Sequence, residues 1–193
     1  KNVVVIGYGD CGKGVAERAK GFGSNVTVCE VDPLKGLQAK MDGHAVLPFE
    51  ETLASGDVFI TVTGNKHAIP ASAFQKMKSG AILANSGHFD IEIDVAGLEA
   101  LAKSKRRIRW QLDEYTLADG NKIYLCAEGR LVNLCAAEGH PSTVMSLSFC
   151  GQALALEYGL KNDLKAGLHV LPDSVDMEIS ALQLKAMGIR IDT

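Results

Sequence analysis

The sequence predicts an α/β fold: a doubly wound parallel sheet with helices on both faces, followed by a C-terminal helical segment. The first observation is that short runs rich in β-branched residues alternate with helix-forming stretches through the N-terminal half, the pattern of strand–helix–strand units. The second is that the first run, at residues 3–6, leads straight into a glycine-rich loop and then into a helix-forming stretch. A chain of 193 residues can form one sizeable core with an appendage.

The elements of the N-terminal half follow from these runs in chain order. Asp32 before Pro33 marks the start of a helix that ends at Gly43, since Asp is a good N-cap and Pro suits the first turn. Strands are predicted at residues 3–6, 25–29, 45–47, 57–63 and 81–84. Helices are predicted at residues 13–22, 33–42, 49–54, 70–77 and 93–103.

The pattern changes after Ile108. Two predicted strands, at residues 109–117 and 122–126, flank Asp119-Gly120-Asn121, which is typical of a hairpin turn. A long helix is predicted at residues 143–158 with Ser142 as its N-cap, and an amphipathic segment at residues 174–187. We interpret the basic run at residues 103–107 as the solvated end of the preceding helix.

The glycine-rich loop has G-x-G-x-x-G spacing between a strand and a helix, with the sequence Gly7-Tyr8-Gly9-Asp10-Cys11-Gly12. This is the context of a dinucleotide fingerprint. In that interpretation Gly7 permits the tight turn, Gly9 lets the backbone approach a pyrophosphate, and Gly12 lets the helix pack close to the strand. The helix N-terminus then points its free N–H groups at the phosphates. The alternative is a structural turn that is merely rich in glycine.

Glu30 supports the nucleotide interpretation. It ends the second predicted strand, 18 residues beyond Gly12, about where an acidic residue accepts both ribose hydroxyls of an adenosine. A carboxylate at this position repels a 2′-phosphate, so the sequence favours NAD over NADP. We therefore predict a Rossmann-type NAD-binding domain at residues 1–140, followed by a hinge helix and a C-terminal helical segment at residues 141–193.

Polar residues follow two later strand ends. Thr63-Gly64 and the segment from Asn85 to His88 could share one cleft with the glycine loop, because ligands lie beyond the carboxyl ends of parallel strands. His88 is either a proton carrier near neutral pH or a loop histidine bonded to the backbone.

Two polar residues lie further along the chain. Asn133 lies in an apolar stretch, where it either binds a carboxamide or makes a structural hydrogen bond. His140 precedes Pro141, which restricts the backbone of His140 to an extended conformation. The local sequence by itself favours a turn residue over a ligand-binding one.

Composition and charge exclude several classes of function. The net charge is −3 and the basic residues cluster only at 103–107, so nucleic acid is not an expected partner. No apolar run reaches the length of a membrane helix, no signal peptide precedes the first strand, and no Cys or His pair has zinc-ligand spacing. We therefore expect neither a membrane nor a metal.

Five scattered cysteines indicate reduced thiols and a cytoplasmic protein. Because the chain starts without methionine inside a strand, we expect further sequence upstream.

Several motifs, in order and over nearly the whole chain, resemble those of the S-adenosylhomocysteine hydrolase family. They are Gly7-Tyr8-Gly9-Asp10-Cys11-Gly12-Lys13-Gly14, Glu30-Val31-Asp32-Pro33, Gly87-His88-Phe89-Asp90-Ile91-Glu92-Ile93, Ala127-Glu128-Gly129-Arg130-Leu131-Val132-Asn133-Leu134 and Gly139-His140-Pro141-Ser142. The resemblance implies hydrolysis of S-adenosylhomocysteine to adenosine and homocysteine with tightly held NAD. In the implied mechanism NAD⁺ would oxidise the ribose 3′-hydroxyl, the acidified C4′ proton would be lost, homocysteine would leave from C5′ as the thioether bond breaks, water would add, and the hydride would return.

The resemblance also implies roles for individual residues. The predicted cofactor-binding residues are Gly7, Gly9, Asp10, Cys11, Gly12, Lys13, Gly14, Glu30, Lys35, Thr63, Gly64, Ser86, Gly87, His88, Asn133 and His140. Residues 9–14 would hold the pyrophosphate, Glu30 the adenosine ribose, and residues 86–88 the nicotinamide side. His88 would also face the substrate as the catalytic proton carrier. Asn133 would hold the carboxamide, and His140 would sit at a domain junction near the nucleoside.

The sequence departs from the family's pattern at two positions. Cys11 stands where valine is usual, which should change only packing. Lys35 stands where many members have asparagine, and a lysine there could tolerate a 2′-phosphate. The resemblance further implies a substrate domain before Lys1, which carries the family's general-base lysine and aspartates, and a tail after Thr193. We therefore expect the chain alone to bind NAD⁺ without hydrolysing the substrate.

Two other functions stay open. One is a non-catalytic NAD-binding regulatory module. The other is an NAD-dependent 2-hydroxy-acid dehydrogenase, which shares the sheet and the loop but leaves the motif beginning at Gly87 unexplained. The expected partners are small molecules (S-adenosylhomocysteine, adenosine, homocysteine). Further copies of the chain are also expected in a homo-oligomer, because the apolar faces of the helix at 143–158 need cover.

Overall fold

The computed structural model describes residues 1–192. Its eight strands are β1 (Asn2–Ile6), β2 (Asn25–Cys29), β3 (Ala45–Val46), β4 (Val58–Thr61), β5 (Ala81–Asn85), β6 (Ala102–Arg109), β7 (Leu112–Leu117) and β8 (Lys122–Cys126). Its helices are α1 (Asp10–Gly21), α2 (Pro33–Met41), α3 (Phe49–Thr52), α4 (Ala71–Phe74), α5 (Val95–Leu101), α6 (Val132–Cys135), α7 (Ser142–Lys161) and α8 (Asp173–Ala186). The chain divides into two compact units, Lys1–Ala137 and a second that begins at Glu138.

The first unit contains one sheet with the strand order β3-β2-β1-β4-β5-β8-β7-β6. Strands β1 to β5 and β8 pair in parallel, whereas β7 pairs antiparallel with both of its neighbours. The chain order reverses between β1 and β4, which makes a topological switch point at the centre of the sheet. The predicted doubly wound fold is thus confirmed, with an antiparallel extension at one edge that includes the predicted hairpin.

Strand β1 is buried on both faces, and its side chains alternate between two cores. Val3 and Val5 pack in one cluster with Ala16 of α1 and Ala39 of α2. The neighbouring residues of β1 pack in the other cluster, which includes Phe74 of α4. A strand covered on both faces needs a continuous apolar run, and this is why residues 3–6 lack the alternation of a half-exposed strand.

The basic run at residues 103–107 is not a helix end, and that prediction is wrong. Helix α5 stops at Leu101, and the run forms the edge strand β6, paired antiparallel with β7. Arg106 lies 3.0 Å from Glu114 of β7, and Arg107 bonds Asp113 on the same strand. These cross-strand pairs favour the sheet over the helix that Lys and Arg prefer locally, and charges also suit an exposed sheet edge.

The helix starts show one confirmed cap and two errors. The Asp32 side chain accepts hydrogen bonds from the N–H groups of Leu34 (2.8 Å) and Lys35 (3.4 Å), as an N-cap should. Helix α1 begins at Asp10 rather than at residue 13, directly inside the glycine loop. Helix α7 begins at Ser142 itself, with Pro141 as the N-cap residue and no side-chain capping bond. The fixed φ of proline suits the residue that enters a helix, which moves Ser142 into the first turn.

The second unit contains α7 and α8, which pack against each other. Helix α7 has no buried residue, and its exposed apolar side chains include Phe149 (58% exposed), Leu156 (67%) and Leu160 (80%). Within residues 1–192, no helix combines the length and the apolar character needed to cross a membrane.

Candidate functional site

The three glycines of the fingerprint have three different surroundings. Gly7 has φ +105°, and a Cβ there would lie 3.1 Å from the backbone oxygen of Val62. At Gly12 a Cβ would lie only 2.3 Å from the carbonyl oxygen of Gly7, so helix α1 touches the end of β1. A Cβ at Gly9 would have no atom within 4 Å. The loop is therefore closed where helix and strand meet and open at Gly9, which is the arrangement that the spacing predicts.

Helix α1 presents an uncapped N-terminus at this loop. Gly9 is its N-cap residue, and no side chain caps the helix there. The first intrahelical bond is donated by the N–H of Lys13 to the carbonyl oxygen of Gly9 at 2.8 Å. The preceding N–H groups of the first turn thus have no partner within the helix, and they carry its positive dipole end.

Glu30 follows β2 directly, beside the glycine loop, and is held by backbone donors. One carboxylate oxygen accepts from the N–H of Tyr8 at 2.6 Å, and the other accepts from Val31 (2.7 Å) and Asp32 (3.0 Å). Burial acts to raise the pKa of Glu30, but these backbone donors and the charge of Lys35 outweigh it and lower the pKa below its ordinary value. Glu30 is therefore an anion fixed at the loop near neutral pH.

A cleft of about 870 Å³ opens at the carboxyl ends of β1, β2 and β4. It lies at the switch point between β1 and β4, where doubly wound sheets bind ligands. The predicted site residues that line it are Gly7, Gly9, Glu30, Lys35 and Thr63. No pattern in the sequence indicated its apolar wall, which includes Val31, Val46, Leu47 and Pro48.

Lys13 makes an internal ion pair that sequence reasoning missed. Its ammonium nitrogen lies 3.5 Å from Oδ2 of Asp42, and the Tyr8 hydroxyl donates to the same oxygen at 2.9 Å. Burial and the Asp42 carboxylate together raise the pKa of Tyr8 to about 12. The ring of buried His44 packs edge-on against Tyr8 at 5.8 Å, and neither of its nitrogens has a hydrogen-bond partner within residues 1–192. This cluster ties the glycine loop and α1 to the end of α2.

Cys11 connects the glycine loop to the loop after β5. Its sulfur lies 3.4 Å from the carbonyl oxygen of Ser86, within the range of a weak S–H donor. The N–H of Ser86 in turn donates to the carbonyl oxygen of Thr61 in β4 at 2.8 Å. The predicted residues Cys11 and Ser86 are thus neighbours, although 75 positions separate them.

Glu92 organises the loops after β4 and β5, a role that its place in the sequence did not indicate. It is fully buried and accepts four hydrogen bonds from Thr63, Gly64 and His88. A Cβ at Gly87 would lie 1.6 Å from one of its carboxylate oxygens. The one available signal was a carboxylate between two isoleucines, Ile91 and Ile93, a placement that costs free energy unless hydrogen bonds satisfy the charge.

Asn85 at the end of β5 makes a second buried connection. Its amide nitrogen donates to the carbonyl oxygens of Phe89 (2.7 Å) and Gly129 (3.0 Å), and its oxygen accepts from the N–H of Gly87 (2.8 Å). Asn85 also forms an isolated parallel bridge with Leu131. The segment that leads into α6 is therefore held at the end of β5.

Asn133 lies in α6, and its amide oxygen is buried without a hydrogen-bond partner within residues 1–192. The structure provides no internal partner for it, so the structural hydrogen bond that the sequence left open is not made by this oxygen. A buried amide oxygen of this kind needs a donor from a ligand or from water.

The remaining predicted residues are exposed or lie elsewhere. His88 is exposed, with its ring packed edge-on against Phe89 at 4.2 Å and its N–H bonded to Glu92. Gly14 has open space around its Cα, and Asp10 is exposed in the first turn of α1. His140 is exposed in the second unit, where it precedes α7. Its place near a nucleoside stays a prediction.

Comparison with known proteins gives the family. The sequence model of "S-adenosyl-L-homocysteine hydrolase, NAD binding domain" matches residues 1–139. Adenosylhomocysteinase of Thermosynechococcus vestitus is 56% identical, with 100% of this chain and 46% of the relative covered. That of Pyrobaculum aerophilum is also 56% identical, over 100% and 44%. S-inosyl-L-homocysteine hydrolase of Methanosarcina mazei is 50% identical, over 100% and 46%.

This chain therefore spans about half the length of the curated relatives it matches. Among solved structures, D-2-hydroxyisocaproate dehydrogenase gives a partial match, with a TM-score of 0.46 and 30% identity over 52% of this chain and 30% of that one. The family model and the relatives agree along the sequence. The chain belongs to the S-adenosyl-L-homocysteine hydrolase family and contains its NAD-binding domain.

Proposed function

We propose that this chain holds NAD in the cleft at the β1–β4 switch point and serves an enzyme that hydrolyses S-adenosylhomocysteine to adenosine and homocysteine. The observation that carries the proposal is the glycine loop. It is open at Gly9, it precedes the uncapped N-terminus of α1, and it borders a cleft that the Glu30 carboxylate also lines. A dinucleotide needs this combination, with donors for its phosphates and an acceptor for its ribose.

The residues fit NAD at both ends. The free space at Gly9 lets a pyrophosphate approach the backbone, and the first N–H groups of α1 can bind it. Glu30 is ionised and keeps an acceptor position for a ribose hydroxyl. The unpartnered amide oxygen of Asn133 can accept a hydrogen bond from a carboxamide. These three groups differ in chemistry, and NAD carries a pyrophosphate, a ribose hydroxyl and a carboxamide that complement them in turn.

In the proposed reaction NAD supplies reversible hydride transfer at the ribose 3′ carbon. The chain's own residues bind and orient the cofactor and exchange protons during the reaction. The loops at residues 63–64 and 86–88 are proposed to receive the nicotinamide half, and the exposed imidazole of His88 is proposed to transfer a proton during the reaction. His140 is proposed to lie near the nucleoside.

Calorimetric titration of the 193-residue chain with NAD⁺ tests the proposal. We expect one site per chain and weaker binding of NADP⁺, because the Glu30 carboxylate repels a 2′-phosphate. Glu30→Gln should narrow the difference between the two cofactors, whereas Glu99→Gln, at an exposed carboxylate on α5, should not. Absence of NAD⁺ binding, or preference for NADP⁺, would contradict the proposal.

The hydrolysis itself needs a separate assay. Homocysteine release should be measured with S-adenosylhomocysteine and with its S-inosyl counterpart, since relatives named for either substrate match this chain. We expect no release by the 193-residue chain alone, because the family's remaining catalytic groups are proposed to lie outside it. Steady turnover by this chain would refute the proposal that the remaining catalytic groups lie outside it. Net NADH formation from a 2-hydroxy acid would instead favour the dehydrogenase alternative.

We also propose that the protein works in the cytoplasm as a homo-oligomer. All five cysteines are free thiols, which suits a reducing compartment. Helix α7 exposes large apolar side chains such as Phe149 and Leu160, and exposed apolar surface of this kind favours association. Light scattering across concentrations should show masses above that of one chain. A single-chain mass at every concentration would contradict the oligomer.

A further inference from the structure

Glu92 is a buried charge that none of the proposed binding contacts explains. Its side chain is 0% exposed, and a buried carboxylate is costly unless its oxygens are fully hydrogen-bonded. Oε2 accepts from the N–H of Thr63 (2.9 Å) and from its hydroxyl (3.0 Å). Oε1 accepts from the N–H groups of Gly64 (2.8 Å) and His88 (3.1 Å). Four acceptor positions meet four donors, which matches the full capacity of an ionised carboxylate.

The donors belong to two loops that leave adjacent strands. Thr63 and Gly64 follow β4, and His88 follows β5. Three of the four donors are backbone N–H groups, so Glu92 fixes the path of the main chain as well as a side-chain rotamer. Gly87 lies close against the same carboxylate, since a Cβ added there would overlap a Glu92 oxygen at 1.6 Å. The loop after β5 therefore closes directly over the carboxylate.

These loops lie across the switch point from Glu30. A dinucleotide spans such a crevice with one nucleotide on each half of the sheet. If the adenosine lies at Glu30, directly after β2, the loops after β4 and β5 receive the nicotinamide half. The carboxylate that joins these two loops then determines the shape of that half.

We infer that Glu92 is a positioning residue, whose buried carboxylate holds the Thr63–Gly64 and Gly87–His88 loops in the arrangement that receives the nicotinamide end of the cofactor. The inference rests on the proposed function. Glu92 touches the loops rather than the ligand, so its removal should weaken only the part of binding that depends on those loops.

The test compares two probes on the 193-residue chain. NAD⁺ engages both halves of the cleft, whereas ADP-ribose lacks the nicotinamide. Glu92→Gln keeps the shape of the side chain but replaces one acceptor oxygen with a donor, so the loops lose one charge-assisted hydrogen bond. If that loss appears in full when the loops receive the cofactor, NAD⁺ binding should weaken by about tenfold. ADP-ribose affinity should change less than about twofold, well below that loss. Glu99→Gln, which removes an exposed carboxylate paired with Lys105, serves as the matched control and should change neither affinity.

Hydrogen exchange gives a readout that does not depend on the ligand. In the wild-type chain the amides of Thr63, Gly64 and His88 should be protected, and Glu92→Gln should reduce that protection while leaving the β1 amides unchanged. If Glu92→Gln does not fold, the wild-type measurement still decides, since free exchange at these amides would overturn the inference. Equal loss of NAD⁺ and ADP-ribose binding, or no loss of either, would also overturn it. Absence of NAD⁺ binding by the wild-type chain would overturn the proposed function first.

Discussion

Replacement of Gly12 by alanine should test whether the close packing of α1 against the end of β1 constrains the glycine loop. A Cβ at residue 12 would lie 2.3 Å from the carbonyl oxygen and 2.9 Å from the carbonyl carbon of Gly7, and 3.0 Å from a methyl carbon of Val62. The first two contacts are with backbone, which cannot rotate away. Helix α1 must therefore move outward by about 1 Å, because nonbonded carbon and oxygen atoms need more than 3 Å.

The expected cost follows from two opposing effects. Overpacking of a rigid contact costs about 1 to 3 kcal/mol, and the backbone overlap at Gly12 places it near the upper end. Alanine regains about 1 kcal/mol of helix propensity. The net destabilisation is therefore about 2 kcal/mol, which corresponds to a fall in Tm of about 4 to 8 °C for a chain of this size. NAD⁺ binding should also weaken, since the outward shift moves the first N–H groups of α1.

Gly14→Ala is the matched control for stability. It lies two positions further along the same helix, with no atom within 4 Å of its added Cβ. It should therefore stabilise the chain by up to about 1 kcal/mol. Thermal and urea unfolding, followed by circular dichroism, compare the two variants. If Gly12→Ala proved as stable as Gly14→Ala, the close approach of α1 to β1 would not constrain this loop, and the reasoning would fail.

Three further predictions concern single side chains. Asp32→Ala should lower the free energy of unfolding by about 0.5 to 2 kcal/mol in urea titrations, because α2 loses its N-cap bonds. The Lys78 ammonium is the main cause that lowers the pKa of Asp57 from 3.8 to about 2, so its stabilising effect is complete above pH 4 and is lost as the pH falls toward 2. Asp57→Asn should flatten acid unfolding across that window, and an unchanged profile would contradict the pairing. Iodoacetamide should label Cys11 and Cys150, which are both exposed, and NAD⁺ should slow labelling of Cys11 alone. Equal slowing at Cys150 would argue against binding at the glycine loop.

The sequence predicts those parts of the fold that depend on local pattern. Strand β2 and strand β8 have the predicted bounds, because short β-branched or aromatic runs between turn residues leave little choice. The N-cap at Asp32 is likewise a local interaction within one turn. The switch point follows from the alternation of strands and helices, so the general position of the cleft also follows.

Long-range partners decide the parts that the sequence did not predict. The basic residues of β6 resemble a helix end until Glu114 and Asp113 are placed opposite them on β7. Glu92 is inconspicuous within a motif of its family until its donors from two other loops are known. In both cases the deciding contact joins residues from different elements, which local propensity does not record.

The number of hydrogen-bond positions still free at Glu30 and Lys13 limits how each can bind a ligand. A carboxylate offers about four acceptor positions, and three at Glu30 are already used by backbone N–H groups. Glu30 can thus accept one ribose hydroxyl at full strength, rather than two. The Lys13 ammonium has three donors, and one is directed toward Asp42. The loop is therefore largely preorganised by internal bonds, and the free positions left at Glu30, at the start of α1 and at Asn133 define the ligand.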